Sequence, residues 1–217
     1  MREEDKIKNG LLFSPGDPEL AAMKLKTHNL NVDYNMTHED ETEKRTEILH
    51  EIFAELGANV RIQGPIAIHY GNHTRIGDRF FANFNLTIQD DAEVTIGNDV
   101  NFGPNVTIVT PMHPMIADER NGKTVLNEKG EHARLCWAKP VKIGNSCWFG
   151  ANTVVCPGVT IGNNCVIGAG SVVTHDIPDN CFAAGVPARV IREIGDADSI
   201  RHMPEILGGC TVISEAD

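Results

Sequence analysis

A six-residue period constrains this chain more than any other feature. In VKIGNSCWFGANTVVCPGVTIGNNCVIGAGSVVTHDIP, the bulky apolar residues Ile143, Phe149, Val155, Ile161, Ile167 and Val173 fall six apart without a gap. Glycine follows four of them, at Gly144, Gly150, Gly162 and Gly168. Val141, Cys147, Thr153, Val159, Cys165 and Ser171, all small or β-branched, precede the six by two positions and form a second inward column. Such a repeat describes a short strand followed by a tight turn, with glycine as a residue that accepts unusual φ and ψ. Three such strands complete one coil. Stacking coils about 4.8 Å apart buries a continuous column of side chains that a single repeat could not bury alone. The period therefore predicts a parallel β-helix.

A less tidy version of the pattern runs through Ile76, Ala82 and Ile88 and, after two extra residues, through Ile96, Phe102 and Ile108. The prism is thus expected over about residues 60 to 177. Between Thr110 and Pro140 the period vanishes into a polar, charged stretch punctuated by Gly and Pro, and an excursion of that length points to function or disorder.

Ahead of the prism, Asp17 before Pro18 reads as an N-cap with proline at the first helical position. Thr37 with Asp40 reads as a capping box, and Ile48, Leu49, Ile52, Phe53 and Leu56 form an apolar stripe that stops at Gly57. The expected organisation is mainly β. A two-helix cap covers 1–57, and a β-helix covers 58–180 with an excursion at 111–139. A short C-terminal helix and a loose tail cover 181–217, because GVPARVIREIGDADSIRHMPEIL has helical potential.

Composition narrows the partners. With 217 residues, 41% of them hydrophobic, the chain can bury one main core. A formal net charge of −11 argues against general binding to nucleic acid or an anionic membrane, which needs a concentrated basic face. The opening MREEDKIKNG has no apolar leader region, and no stretch approaches the roughly 18 apolar residues of a membrane span, so the expected location is the cytoplasm. Six cysteines without a CxxC pair read as reduced thiols; Cys147 and Cys165, one coil apart, are packing residues to which no chemistry is assigned.

The runs FFANFNLTIQDDAEVTIG, the HP step in TPMHPM, WFGANTVVCPGVTIGNNCVIGAGSVVTHDIP and AAGVPARVIREI closely resemble the galactoside and maltose O-acetyltransferases. The F-x-x-x-DPEL stretch and Asp33-Tyr34-Asn35 look like that family's helical cap. The similarity covers roughly residues 7 to 194. It implies a left-handed coil, against the usual right-handed crossover. It also implies a homotrimer with sites between subunits. The implied reaction moves acetyl directly from the cosubstrate acetyl-CoA to a hydroxyl of a sugar or similar small molecule in a ternary complex, with no metal required.

An alcohol is a poor nucleophile at neutral pH, so such a transfer needs a base near the hydroxyl, and histidine suits that role. His113 sits where the chain leaves the prism, between Met112 and Pro114, and the family's HP motif makes it the general base rather than an ordinary loop histidine. By the same resemblance Asn83 and Asp91 bind the acceptor, against the alternatives of a stacked turn amide and a solvated turn acid. Asp17 is either an acceptor contact or an N-cap. His69 is a further acceptor-binding candidate, standing where relatives commonly carry a small hydroxyl residue. For CoA the resemblance points to Ala151, Ala169 and Thr174 along the pantetheine, and to Arg189 and Arg192 at the phosphates, where guanidinium groups bind well. Ala151 replaces a hydroxyl residue common in relatives. Trp148 is a lip for the pantetheine or an aromatic at a subunit seam.

Two rival classes remain at this point. One is a metal-dependent hydratase of the gamma carbonic anhydrase type, with His69, His73 and His113 as zinc ligands. The other is a scaffold that keeps the prism without turnover. The acceptor itself is not legible, and the excursion 111–139, longer than expected for a sugar acetyltransferase, is expected to border its site.

Overall fold

A computed structural model of the chain describes residues 1–213. The period becomes three parallel faces that the chain visits in turn. The first face holds Glu55–Leu56, Thr74–Ile76, Val94–Ile96, Val141–Ile143 and Thr160–Ile161. The second holds Arg61–Ile62, Phe81–Ala82, Asn101–Phe102, Trp148–Phe149 and Val166–Ile167 before reaching Cys181–Gly185. Ile66–Ile68, Leu86–Gln89, Thr107–Val109, Val154–Val155 and Val172–Val173 make the third. Inward residues stack in register, Ile62 on Ala82, Phe102, Phe149, Ile167 and Ala183. Phe80, Phe102 and Phe149 meet edge to face with centroids 5.1 and 4.7 Å apart, a favourable aromatic geometry at the heart of the core.

Equivalent residues of successive coils are 20 apart at the start, then 47, 18 and 16. The 47-residue step exceeds the next by 29, which is the length of the excursion 111–139. Pairing ignores the interruption, since Val94–Ile96 and Val141–Ile143 are neighbours in register.

The first corner explains the glycines differently from the expectation. Asp78, Asn98, Asn145, Asn163 and Asp179 form a ladder in which each side-chain oxygen accepts a backbone N–H from the preceding coil at 2.7 to 2.9 Å. A Cβ on Gly77 would lie 2.4 Å from Asn98 Oδ1. These glycines are needed for close approach between coils. The left-handed backbone falls two positions later, at Arg79, Asp99, Ser146 and Asn164.

Three helices rather than the expected two precede the prism: α1 (Glu3–Lys8), α2 (Pro18–Asn35) and α3 (Thr42–Ile52). The apolar stripe leaves the helix at Ile52, so that Leu56 already lies in the first strand of the prism. One face of α2 satisfies the open edge of the first coil. Thr27 Oγ1 donates to Tyr70 O at 2.6 Å, Asn31 Nδ2 to Ile68 O at 2.7 Å and Asn35 Nδ2 to Ile66 O at 2.9 Å. The Asn35 side-chain carbonyl accepts from Ile66 N, and Tyr34 OH donates to Ile62 O. From α3 the buried Arg45 Nη2 donates to Ile62 O at 2.7 Å and Gln63 O at 2.9 Å, with its guanidinium 4.3 Å over the Tyr34 ring. The Thr37–Asp40 capping box does not form. Thr37 instead donates to Tyr34 O at 2.6 Å and accepts from Arg45, while Glu41 accepts from His38 N ahead of α3.

The C-terminal segment also departs from the helical expectation. Cys181–Gly185 continues the second face and pairs antiparallel with Ala188–Glu193, while helix appears only at Pro204–Leu207 beyond two short 3₁₀ turns. The last coil leaves an open strand edge, and the need to pair it outweighs local helix propensity. The last four residues of the expected tail lie outside the described ones.

Candidate functional site

The excursion leaves and rejoins the prism at the third corner, where the third face passes to the first. Pro111–Met112 pairs antiparallel with Trp137–Ala138, and His113 is the first residue beyond that ladder. Its exposed imidazole lines a cavity of about 270 Å³ with Pro15, Arg120, Asn121, Arg134 and Leu135. Arg120 Nη1 donates to Pro114 O at 2.9 Å and Met115 O at 3.1 Å, so the turn after His113 is tied to the excursion. Phe13 and Cys136 exchange backbone hydrogen bonds of 2.8 and 3.1 Å, which brings the N-terminal segment to the same cavity.

Asp91 lies at this corner one coil earlier. Its side chain is buried, its Oδ2 has no hydrogen-bond partner, and burial raises its pKa against the opposing charge of Lys24. The neighbouring Asp90 is fully buried and acts as a clamp: Oδ1 accepts from Tyr70 N at 2.8 Å and Oδ2 from Thr74 Oγ1 at 2.7 Å. His73 Nδ1 lies 2.8 Å from Asp90 O, and because a carbonyl only accepts, this nitrogen carries the proton. His69 is half-buried, with Nδ1 3.2 Å from His28 Nε2, and burial followed by the charge of Lys24 lowers its pKa to about 4.

Asp17 serves as the α2 N-cap, accepting from Glu19 N at 2.9 Å and Leu20 N at 3.4 Å. It is Pro15, two residues earlier, that reaches the His113 cavity.

The other candidates lie elsewhere. Asn83, Ala151 and Ala169 occupy the second corner, between the second and third faces. Asn83 Oδ1 accepts from Phe84 N at 2.8 Å, and Gly170 N donates to Ala151 O at 2.8 Å, linking the two alanine coils. Trp148 points outward from the second face and is 58% exposed. Thr174 follows the last strand of the third face and hydrogen-bonds His175 at 2.8 Å. Beside it Arg189 lines an open cavity of about 470 Å³ with His175 and Asp176. Arg192 is paired with Asp198 through both terminal nitrogens, at 2.7 and 2.5 Å, with its guanidinium 5.6 Å from the Phe182 ring centre. One chain therefore brings His69, Asp91 and His113 to one corner and leaves Asn83, Ala151 and Ala169 at another.

Three further residues of this corner, Asp90, Tyr70 and Lys24, carry no motif that singles them out in the sequence. The two extra residues in the early coils are a signal for the corner itself, since they fall where the Asp90-Asp91 pair breaks the period.

Comparison with known proteins agrees with this architecture. Residues 140–175 match the bacterial transferase hexapeptide model of six repeats, and residues 6–57 match the maltose acetyltransferase hexapeptide capping motif. The galactoside O-acetyltransferase of Escherichia coli K12 is 44% identical over 194 residues, covering 89% of this chain and 90% of that protein. The chain belongs to this family. Among solved structures, a maltose O-acetyltransferase from Clostridium difficile 630 superposes with a TM-score of 0.82 at 38% identity, covering 90% of this chain and 99% of that one. A galactoside acetyltransferase in complex with coenzyme A gives a TM-score of 0.82 at 43% identity, covering 91% and 94%.

Within this acetyltransferase family, the capping-motif match takes in the end of α1, all of α2 and α3, and the first strand of the prism, Glu55–Leu56. The histidines weighed as zinc ligands face different neighbours in the chain: His73 is buried against Tyr70 and Asp90, His69 meets His28, and His113 lines its own cavity. No helix among the described residues is long and apolar enough to cross a membrane.

Proposed function

We propose that this chain transfers acetyl from acetyl-CoA to a hydroxyl of a sugar or similar small molecule, directly and within a ternary complex. The observation that carries the reading is the placement of His113, an exposed imidazole held at the foot of a two-stranded ladder and open to a cavity walled by both the N-terminal segment and the excursion. His113 removes the proton of the acceptor hydroxyl as its oxygen attacks the thioester carbonyl. The tetrahedral intermediate then collapses, the C–S bond breaks, and the imidazolium returns the proton to the CoA thiolate.

The site is shared between copies of the chain in a trimer. Two corners of one prism carry the candidate residues, so the third corner of one subunit, with His69, Asp91 and His113, faces the second corner of the next, with Asn83, Ala151 and Ala169. Asp91 and Asn83 offer an acceptor and a donor to a polyhydroxyl substrate. Thr174 and Trp148 flank the pantetheine, and Arg189 meets the CoA phosphates. Arg192 joins it only by releasing Asp198. Asp17 supports the site by capping α2.

The test is thiol release from acetyl-CoA by the purified protein with maltose or methyl β-galactoside as acceptor. His113→Ala lowers kcat by about 10² to 10⁴ with the assembly intact, the range expected for loss of a positioned general base. An unchanged kcat in that variant overturns the assignment of the base.

A further inference from the structure

Lys24 lies among the groups of the third corner without an assigned role. It is half-buried on α2, one turn before Thr27, whose hydroxyl fastens that helix to Tyr70 O at 2.6 Å. Its Nζ donates to Pro15 O at 2.7 Å and stands 5.6 Å from the centre of the Tyr70 ring. Pro15 is a wall of the His113 cavity, and Tyr70 packs edge-on against His69 with centroids 4.9 Å apart. The buried Asp91 Oδ2 and Tyr70 OH both lack a hydrogen-bond partner. A single ammonium group thus touches the segment that closes on His113 and stands beside the ring that borders His69.

We propose that Lys24 is a positioning residue for the acceptor half of the site: it anchors the Pro15 turn beside His113 and supplies the positive charge that balances the buried carboxylate of Asp91. The inference rests on the proposed acetyl transfer and adds a residue to it. A buried carboxylate is costly unless a cation offsets it. The titratable groups whose charges act on Asp91 or respond to it are Lys24 from α2, Tyr70 and His73 from the first coil, and Cys136 from the returning excursion, with Asp90 beside it in the chain. Lys24 is the lysine of this set, and its charge opposes the effect of burial on Asp91. An ionised Asp91 can accept hydrogen bonds from an acceptor's hydroxyls, whereas a protonated one gives up part of that capacity.

The experiment compares wild type, Lys24→Met and Lys24→Arg in thiol release from acetyl-CoA, with maltose and methyl β-galactoside as probes over a range of pH. In Lys24→Met the acceptor KM rises by about 10- to 100-fold, as for loss of a charge-assisted hydrogen bond, while the KM for acetyl-CoA is little changed. The acidic limb of kcat/KM for the acceptor moves to higher pH, and Lys24→Arg restores both values. An active wild type with an unmoved acceptor KM and acidic limb in Lys24→Met overturns the inference. If wild type acetylates neither probe, the functional reading fails first. The Asp91 carboxyl titration, followed by carbon NMR with Asp91→Asn for assignment, then decides about Lys24. A titration raised in Lys24→Met supports the charge role, and an unmoved one overturns it.

Discussion

The two ends of the prism meet one problem with opposite means. Each terminal coil presents a strand edge whose backbone groups have no neighbouring coil to bond, and such edges invite unwanted pairing. At the C-terminal end the chain folds back and covers the edge with its own backbone, Cys181–Gly185 against Ala188–Glu193. At the N-terminal end a helix covers it with side chains, placing Thr27, Asn31, Tyr34 and Asn35 over successive carbonyls, with Arg45 reaching in from α3. Backbone pairing is nearly independent of sequence, so substitutions in the hairpin are tolerated. Side-chain capping is specific, and a lost group strands its carbonyl wherever no second side chain reaches it, as at Ile68 O, whereas Ile62 O is shared by Tyr34 and Arg45. The same helix also serves the site, since the turns of α2 that cap the coil carry Lys24 and His28 to the third corner.

This contrast can be broken most severely at Arg45. Arg45→Met removes the donors to Ile62 O and Gln63 O, and urea unfolding should register a loss of about 3 kcal/mol, because buried acceptors lose charged partners. Next comes Asn31→Ala, which strands Ile68 O alone and is expected to lower stability by about 1 to 2 kcal/mol in the same measurement. A smaller effect follows from His69. Its folded pKa of about 4 lies below the ordinary 6.5, so its contribution is complete above pH 6.5 and is lost as pH falls toward 4. Melting curves across that window should therefore flatten in His69→Gln. The smallest effect belongs to the other end. Arg192→Ala breaks the exposed pair with Asp198 along with the contacts to Glu193 O and the Phe182 ring, and should change stability by less than about 1 kcal/mol, while the KM for acetyl-CoA rises if this arginine meets the CoA phosphates. A large loss of stability there would erase the distinction between the two caps.

Residues with a periodic signature are legible in one dimension, and residues that act through burial are not. Ile143, Phe149 and Val155 declare the coil because inward positions must repeat. The glycines beside them suggest unusual φ and ψ, yet what excludes a Cβ at Gly77 is Asn98 on the next coil, a contact that no local pattern reveals. The stretch that starts at Gly185 has helical potential because propensity is local, whereas the strand it forms at Ala188–Glu193 answers to an edge built by distant residues. His113, Asp91 and Asn83 stand out through motif resemblance. Asp90 and Lys24 matter because of what surrounds them, a fully enclosed carboxylate and an ammonium beside a ring, and no spacing rule marks either.

The unbroken register across the 47-residue step has an architectural consequence. The segment that carries His113 behaves as an appendix plugged into a frame already closed on either side of it. Its length and chemistry between His113 and Cys136 can therefore change without repacking the core of the prism, to which the excursion contributes no residue. A single stacked scaffold can in this way be refitted for new acceptors by exchanging one insert.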